Sequence, residues 1–167
     1  MIHEVGGTVS LSYKDIDRID RSILRELQVD GRLANIELSR RVGLSATPCL
    51  ERVKRLELKG FIRGYEAVLS PAKLASALLV FVEMRLNHTS PDVFNDFKKA
   101  VIELPQVLEC HLVSGDFDYL VKARVADMVA YRTLLGETLL TLPGVSGSRT
   151  YVVMEEVKES RVLAIPA

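Results

Sequence analysis

The sequence has few cysteines, no excess of charge of either sign and no long hydrophobic run, and each absence excludes a class of protein. Its 167 residues include only two cysteines, too few for a disulfide framework or a CxxC metal knuckle. The longest apolar run, residues 77–82, is far shorter than the roughly 20 residues that span a bilayer. Residues 1–12 lack the basic start and apolar stretch of a secretory leader, so we expect a cytoplasmic protein.

Charge is balanced over the whole chain but not along it. The 22 basic residues equal the 22 acidic ones, which excludes a uniformly basic nucleic-acid coat and a polyacidic tail. Residues 1–65 nevertheless hold twelve basic and nine acidic residues, and residues 40–63 hold seven basic and two acidic ones. This local excess of five positive charges is typical of a surface that contacts phosphate.

Apolar residues in the first part of the chain recur at helical spacing, which predicts three helices. The first begins after Asp17, which can cap it, and ends before Gly31. A short second helix is expected at 36–42 and a third at 46–59, separated by the tight turn 43–45. This arrangement is typical of a helix-turn-helix, whose second helix enters the major groove of DNA.

A helical wheel of the third predicted helix separates an apolar side from a basic side. The wheel places Cys49 and Leu50 against the core, and Arg52, Arg55 and Lys59 on the exposed face. A basic face can also be no more than a solvated surface, but the turn and the charge excess coincide here and favour DNA binding. The candidate DNA-binding residues are Asn35, Arg40, Arg41, Ser45, Thr47, Pro48, Arg52, Arg55 and Lys59.

The second part of the chain alternates between strand and helix patterns. Strands are predicted at 76–86, 107–113, 119–125 and 148–157, with helices at 90–104 and 127–141, which gives the β-α-β-β-α-β order of a ferredoxin-like unit. Apolar residues occupy both faces of the first of these strands, so we expect a second copy to cover the open face of the sheet in a two-fold homodimer. Such a dimer spaces two recognition helices on a palindromic DNA site.

The fold class is therefore α+β, with a winged-type helix-turn-helix domain followed by a ferredoxin-like domain. The predicted divisions are a flexible N-terminal arm at 1–13, the helix-turn-helix domain at 14–61, a strand and linker at 62–75, and the ferredoxin-like domain at 76–167. The strand pattern itself begins one residue before the second boundary and covers 61–69.

The segment 115–119 places Asp116 and Asp118 beside Gly115 at a turn. The residues alone favour an ordinary aspartate- and glycine-rich hairpin turn. A polar site whose carboxylate meets the ammonium group of a small amino acid is the alternative.

Several motifs resemble the Lrp/AsnC family of bacterial transcription regulators. They are RVGLS followed by TPCLERV at 41–53, GFIRGY at 60–65, ECHLVSGDFDY at 109–119, LLGETLL at 134–140 and TYVVMEEV at 150–157. The resemblance implies a DNA-binding domain and an effector-binding domain that assembles homodimers into octamers or larger rings. It also implies an amino-acid effector, with leucine as the first candidate, at Leu112, Gly115, Asp116, Asp118, Met128, Tyr151, Val152 and Val153.

No enzyme, metal or cofactor is predicted. His3, His88 and His111 lack metal-ligand spacing, and His111 falls within a strand, where a hydrogen-bonded structural role is favoured. We therefore expect a cytoplasmic, nucleoid-associated regulator of amino-acid metabolism that binds double-stranded DNA. The alternatives are a ligand-independent architectural protein that wraps DNA, and a haem-pathway decarboxylase of similar two-domain layout.

Overall fold

The computed structural model describes residues 15–88 and 90–166, and the predicted arm at 1–13 lies outside this range. The chain divides into two compact units. Unit 1 combines the chain up to Val68 with the segment from Ser160 onwards, and unit 2 is Leu69–Glu159. This differs from the predicted division at 76–167, because the last residues make their contacts with the helical unit.

Unit 1 contains the three predicted helices, α1 (Arg18–Val29), α2 (Asn35–Arg41) and α3 (Ala46–Leu58). Asp17 caps α1 and exchanges side-chain and backbone hydrogen bonds with Asp20 in a capping box. Gly43 takes a positive φ of 71° in the turn between α2 and α3, which glycine adopts without steric cost. The core of the unit is formed by Ile16, Ile23, Leu27, Leu38, Cys49 and Leu56.

The predicted strand at 61–69 is not formed. No described segment pairs with it, and an alternating pattern without a neighbouring strand has no partner for its backbone hydrogen bonds. Phe61 and Ile62 instead pack on the helical core, and their amides bond to the carbonyl oxygen of Leu56 at the end of α3.

Unit 2 is a four-stranded antiparallel sheet with helices on one face. Its elements are β1 (Leu78–Leu86), α4 (Pro91–Ile102), β2 (Val107–Leu112), β3 (Tyr119–Val125), α5 (Met128–Thr133) and β4 (Val145–Val152). The strand order is β2-β3-β1-β4, so the predicted ferredoxin-like order of elements is confirmed.

The last helix and the last strand differ from their predicted bounds. The segment predicted as one helix at 127–141 is divided into three helical parts. The α-helix α5 ends at Thr133 and is followed by a π turn, Leu134–Thr138, and a short 3-10 turn, Leu139–Thr141. The strand predicted at 148–157 is β4, which begins at Val145 opposite Leu86 and ends at Val152 opposite Val80. The amide of Val153 still donates to Leu79, but β1 begins at Leu78 and therefore has no residue that could pair with residues 155–157.

The core of unit 2 lies between the sheet and the helices. Val80, Val82 and Val121 are fully buried there, and the ring of Phe97 on α4 stacks on Tyr119 with 4.4 Å between centroids. On the opposite face of the sheet, Leu79 is only 6% exposed.

Candidate nucleic-acid interface and effector site

Polar contacts stabilise the helix-turn-helix, both between the starts of α2 and α3 and across the turn that joins them. The side-chain amide of Asn35 donates to the carbonyl oxygen of Ala46 over 2.8 Å, and the amide of Leu44 donates to Ser39 over 2.8 Å. Ser45 occupies the cap position of α3, yet within the described chain its hydroxyl makes no capping hydrogen bond. The start of α3 therefore offers an exposed hydroxyl and free backbone amides, which suit a phosphate oxygen.

The outward face of α3 differs from the predicted one. Cys49 and Leu56 are fully buried as expected, but Leu50 is 41% exposed, and the prediction that it faces the core is wrong. The side chain of Arg52 is only 26% exposed, so its predicted place on the exposed face is also wrong. Pro48 is half-buried, and the exposed residues of α3 are Ala46, Thr47, Leu50, Glu51, Lys54, Arg55, Glu57 and Leu58.

Arg52 and Arg55 brace α3 against the start of α1. One guanidinium nitrogen of Arg52 lies 2.6 Å from Asp17 Oδ2 and 2.9 Å from Asp20 Oδ1, and Arg55 Nη2 lies 2.6 Å from Asp20 Oδ2. Asp20 is only 1% exposed, so its charge requires these partners. We call these four side chains the α1–α3 brace. The helical wheel of α3 did not predict the brace, because it contains no residue of α1 and because Asp17 and Asp20 were interpreted only as residues that favour the start of α1.

The brace shifts the pKa of two side chains, Asp17 and Arg52. The backbone amide of Asp20 and the guanidinium of Arg52 hold the pKa of Asp17 below its usual value. Hydrogen bonds to Asp17 and Asp20 raise the pKa of Arg52. Asp17 and Arg52 are thus held in their charged forms at neutral pH.

The other basic residues of the segment 40–63 differ in whether they form ion pairs with carboxylates of the described chain. Arg41 contacts Glu26 at 2.9 Å and Glu37 at 3.0 Å, while the more exposed Arg40 lies 3.9 Å from Glu37. Among residues 15–88 and 90–166, no ion pair involves Lys54, Lys59 or Arg63, and all three are exposed. Arg40 and these three residues therefore carry the positive charge that is most available to a phosphate backbone.

The predicted effector residues form two groups in unit 2. The first is Leu112 together with the turn that holds Gly115, Asp116 and Asp118, at the end of β1 marked by Met84 and Leu86. The second is Tyr151, Val152 and Val153 with Met128, at the opposite end of β1, where Val152 pairs with Val80 and Val125 pairs with Leu78.

The two groups are further separated by the sheet itself, because β2 and β4 are its opposite edges. A single chain therefore does not bring all eight predicted residues together.

Asp118 has a structural role within the turn. Its carboxylate accepts a hydrogen bond from the amide of Leu86 over 2.7 Å, and its own amide donates to Met84 over 3.0 Å. Asp116 is exposed and has no hydrogen bond to another described residue. Of the two carboxylates, Asp116 is thus the one left entirely available to a ligand.

Several large apolar side chains in both groups are exposed. Leu112, Tyr151, Val152 and Met128 all have about half of their surface accessible. Met128 also lines a cavity of about 440 Å³ at the start of α5, beside Tyr131, whose hydroxyl bonds to Thr150. Exposed apolar surface of this kind is typical of ligand or subunit contacts.

The remaining chemistry of the described chain is limited. No described helix is long and apolar enough to cross a membrane. Residues 15–88 and 90–166 contain no group of three His, Cys, Asp or Glu side chains that could hold a metal. His111 lies 3.1 Å from Glu109, which is the hydrogen-bonded arrangement predicted for it.

Comparison with known families assigns both units. A model described as the Lrp/AsnC ligand binding domain matches residues 79–163, and one described as winged helix-turn-helix DNA-binding matches residues 16–63.

Similar proteins and structures are found over nearly the whole chain. The leucine-responsive regulatory proteins of Klebsiella pneumoniae and Escherichia coli K12 are each 68% identical over 152 residues, covering 91% of this chain and 93% of theirs. The crystal structure of a Neisseria meningitidis transcriptional regulator in complex with L-Met has a TM-score of 0.86 at 39% identity, covering 90% of this chain and 97% of that one. A feast or famine regulatory protein of M. tuberculosis complexed with L-methionine has a TM-score of 0.81 at 32% identity, covering 90% and 99%.

Proposed function

Because the chain belongs to the Lrp/AsnC family of transcription regulators, we propose that a small amino acid, with leucine as the first candidate, modulates its assembly or its affinity for DNA. The observation that carries the proposal is the 68% identity to leucine-responsive regulatory proteins across both units. The structures of similar regulators with L-methionine support an amino-acid effector but leave its side chain open.

On the DNA side, the outward face of α3 enters the major groove of double-stranded DNA. Thr47, Glu51 and Lys54 are its polar groups, and Ser45 lies at the entry of the helix. Arg40, Lys59 and Arg63 contact phosphates, whereas Arg52 and Arg55 hold α3 in position through the brace. The distribution of paired and unpaired charges supports this division of roles.

On the effector side, the amino acid binds where two copies meet. The turn at 115–118 supplies polar groups for the ligand, and Met128 with Tyr151, Val152 and Val153 supplies apolar contacts from a neighbouring copy. The separation of the two groups within one chain supports a site completed by assembly, in homodimers that associate into octamers or larger rings. Phe81, which lies on the open face of the sheet and is only half-buried in one chain, suits the homodimer contact.

Thermal-shift screening of the full-length protein against the twenty amino acids tests the effector. A ligand present at 100 times its dissociation constant adds about 2.7 kcal/mol to the free energy of unfolding. We expect a concentration-dependent rise in melting temperature with leucine or a similar apolar amino acid. No shift with any of the twenty would refute the effector and favour a ligand-independent protein that wraps DNA.

The relatives are named as regulatory proteins or, among the solved structures, as transcriptional regulators. We propose that this chain likewise acts without catalysing a reaction, in the cytoplasm and in association with the nucleoid. Absence of tetrapyrrole absorbance in the purified protein is the corresponding expectation against a haem-pathway decarboxylase.

A further inference from the structure

We propose that unit 1 carries a peptide-binding groove on α1, and that its ligand is the C-terminal segment of the same chain, residues 160–166. Neither DNA nor an amino-acid effector takes part in the contacts that support this groove, so its test is independent of the proposed function.

The groove contacts the backbone of the segment through two side chains of α1. The Gln28 side chain donates to the carbonyl oxygen of Leu163 over 3.0 Å and accepts from the amide of the same residue over 3.0 Å. This pair of bonds reproduces what a neighbouring β-strand offers to an extended chain. One turn earlier, Arg25 donates to the carbonyl oxygens of Ile165 and Pro166 over 3.1 and 2.9 Å.

Apolar and charged contacts complete the groove. A cavity of about 500 Å³ lies beside the segment, and Leu24, Leu27 and Phe61 contribute to its walls. Ile165 is half-buried, whereas Leu163 is exposed, so Ile165 is the apolar anchor. At the other end of the segment, Arg161 Nη1 lies 2.5 Å from Glu66 Oε2. The groove therefore selects an extended peptide with a branched apolar residue near its end.

The contacts need not be strong individually because the segment is tethered. Residues 153–159 connect it to β4, so the segment and the groove are parts of one covalent chain. The chain thus leaves unit 1 after Val68 and returns to it at Ser160, so that two covalent segments join the units. Within unit 1, the first half of α1 braces α3 and the second half holds the returning segment.

Hydrogen exchange of full-length variants, followed by mass spectrometry, tests the groove. In the wild type, one amide of the C-terminal peptide, that of Leu163, is expected to exchange about tenfold or more slowly than in a free peptide of the same sequence, because it is bonded to Gln28. Gln28→Ala should bring exchange close to that of the free peptide. The matched control is Gln106→Ala, which removes an exposed glutamine side chain from unit 2.

A second pair of variants keeps the test decisive if Gln28→Ala folds poorly. Arg25→Ala removes both bonds to the end of the segment, whereas Arg18→Ala removes an exposed arginine of the same helix. Two results would overturn the proposed groove. One is that the segment exchanges at the same rate in each variant as in its control, and the other is that it exchanges in the wild type as fast as the free peptide.

Crosslinking of engineered cysteines with a short bismaleimide identifies which chain supplies the segment, because the Gln28 side chain spans the distance to the backbone of Leu163. Gln28→Cys combined with Leu163→Cys is expected to give an intrachain crosslink, seen as a monomer of altered mobility on a denaturing gel. Burial raises the pKa of Cys49 and raises that of Cys110 to about 11, which keeps the native thiols slow to react at neutral pH. Covalent dimers linked through the engineered cysteines would show that a second copy supplies the segment and would overturn the assignment to the same chain.

Discussion

The α1–α3 brace can be tested by replacing Asp20 with alanine. Asp20→Ala removes the partner of both Arg52 and Arg55, and it also removes the capping bond over 3.2 Å to the amide of Asp17. Hydrogen bonds to charged groups contribute about 1.5–3 kcal/mol each. The side chains of Arg52 and Arg55 are 26% and 46% exposed, so water partly replaces the lost carboxylate and lowers the cost.

We expect Asp20→Ala to reduce the free energy of unfolding of unit 1 by about 2–3 kcal/mol, after this discount. For a domain of this size, the change corresponds to a melting temperature lower by roughly 10–20 °C. Circular dichroism and urea unfolding of the full-length protein measure it. Asp15→Ala, which removes an exposed carboxylate from the residue two positions before the cap, is the control and should change stability by less than about 0.5 kcal/mol.

DNA binding by the same variant distinguishes the brace from the alternative that Arg52 and Arg55 contact DNA. If they contact DNA, loss of Asp20 frees two cations and removes a negative charge, so affinity for DNA rises. If they position α3, affinity falls because the helix loses its support. An Asp20→Ala protein that unfolds like the wild type and binds DNA more tightly would refute the brace.

Three further substitutions give simple expectations. Lys59→Ala should reduce the slope of log affinity against log salt by about one, with little change in stability, and an unchanged slope in gel shifts would argue against its contact with a phosphate. Asp118→Ala should lose the bond to the amide of Leu86 and lower the stability of unit 2 by about 1–3 kcal/mol, as well as weaken amino-acid binding in calorimetry; wild-type values of both would contradict its assignment. Because the pKa of Asp17 is lowered by folding, its contribution to stability is present above its unfolded pKa of about 4 and is lost as pH falls through the folded pKa. Urea unfolding between pH 5 and 2 should therefore show a smaller acid-induced loss of stability in Asp17→Ala, and identical pH dependence would oppose this origin.

The order of elements could be predicted from the sequence because it depends on local periodicity. Helical spacing in α1 and α3 and the break at Ser90 and Pro91 before α4 are signals that each segment carries by itself. The strand predicted at 61–69 failed for the same reason: its alternation is local, but a strand forms only with a partner.

The faces of α3 could not be predicted as reliably as its bounds. A helical wheel orders residues around their own axis and gives no position for the neighbouring helix. Arg52 lies at the border of the buried side, and its long side chain reaches Asp17 and Asp20 across to α1. Only the packing of α1 on α3 shows that these two carboxylates are its partners.

The effector residues were predicted from a resemblance, and the structure adds a physical constraint to them. The residues around Asp118 and those around Val152 occupy opposite ends of β1 in one chain. Sequence spacing could not show this separation, because it depends on the register of β1 with both of its neighbours.

Titration of a DNA fragment that carries the operator, with and without each amino acid, is the decisive test of the proposed regulation, since it involves both units at once. By linkage, an effector that binds the DNA-free and DNA-bound assemblies unequally must change the affinity for DNA by the same factor. We expect leucine or a similar apolar amino acid to shift the midpoint of binding about fivefold or more at saturation. If none of the twenty amino acids alters the midpoint or the stoichiometry of DNA binding, the chain is not regulated by an amino-acid effector.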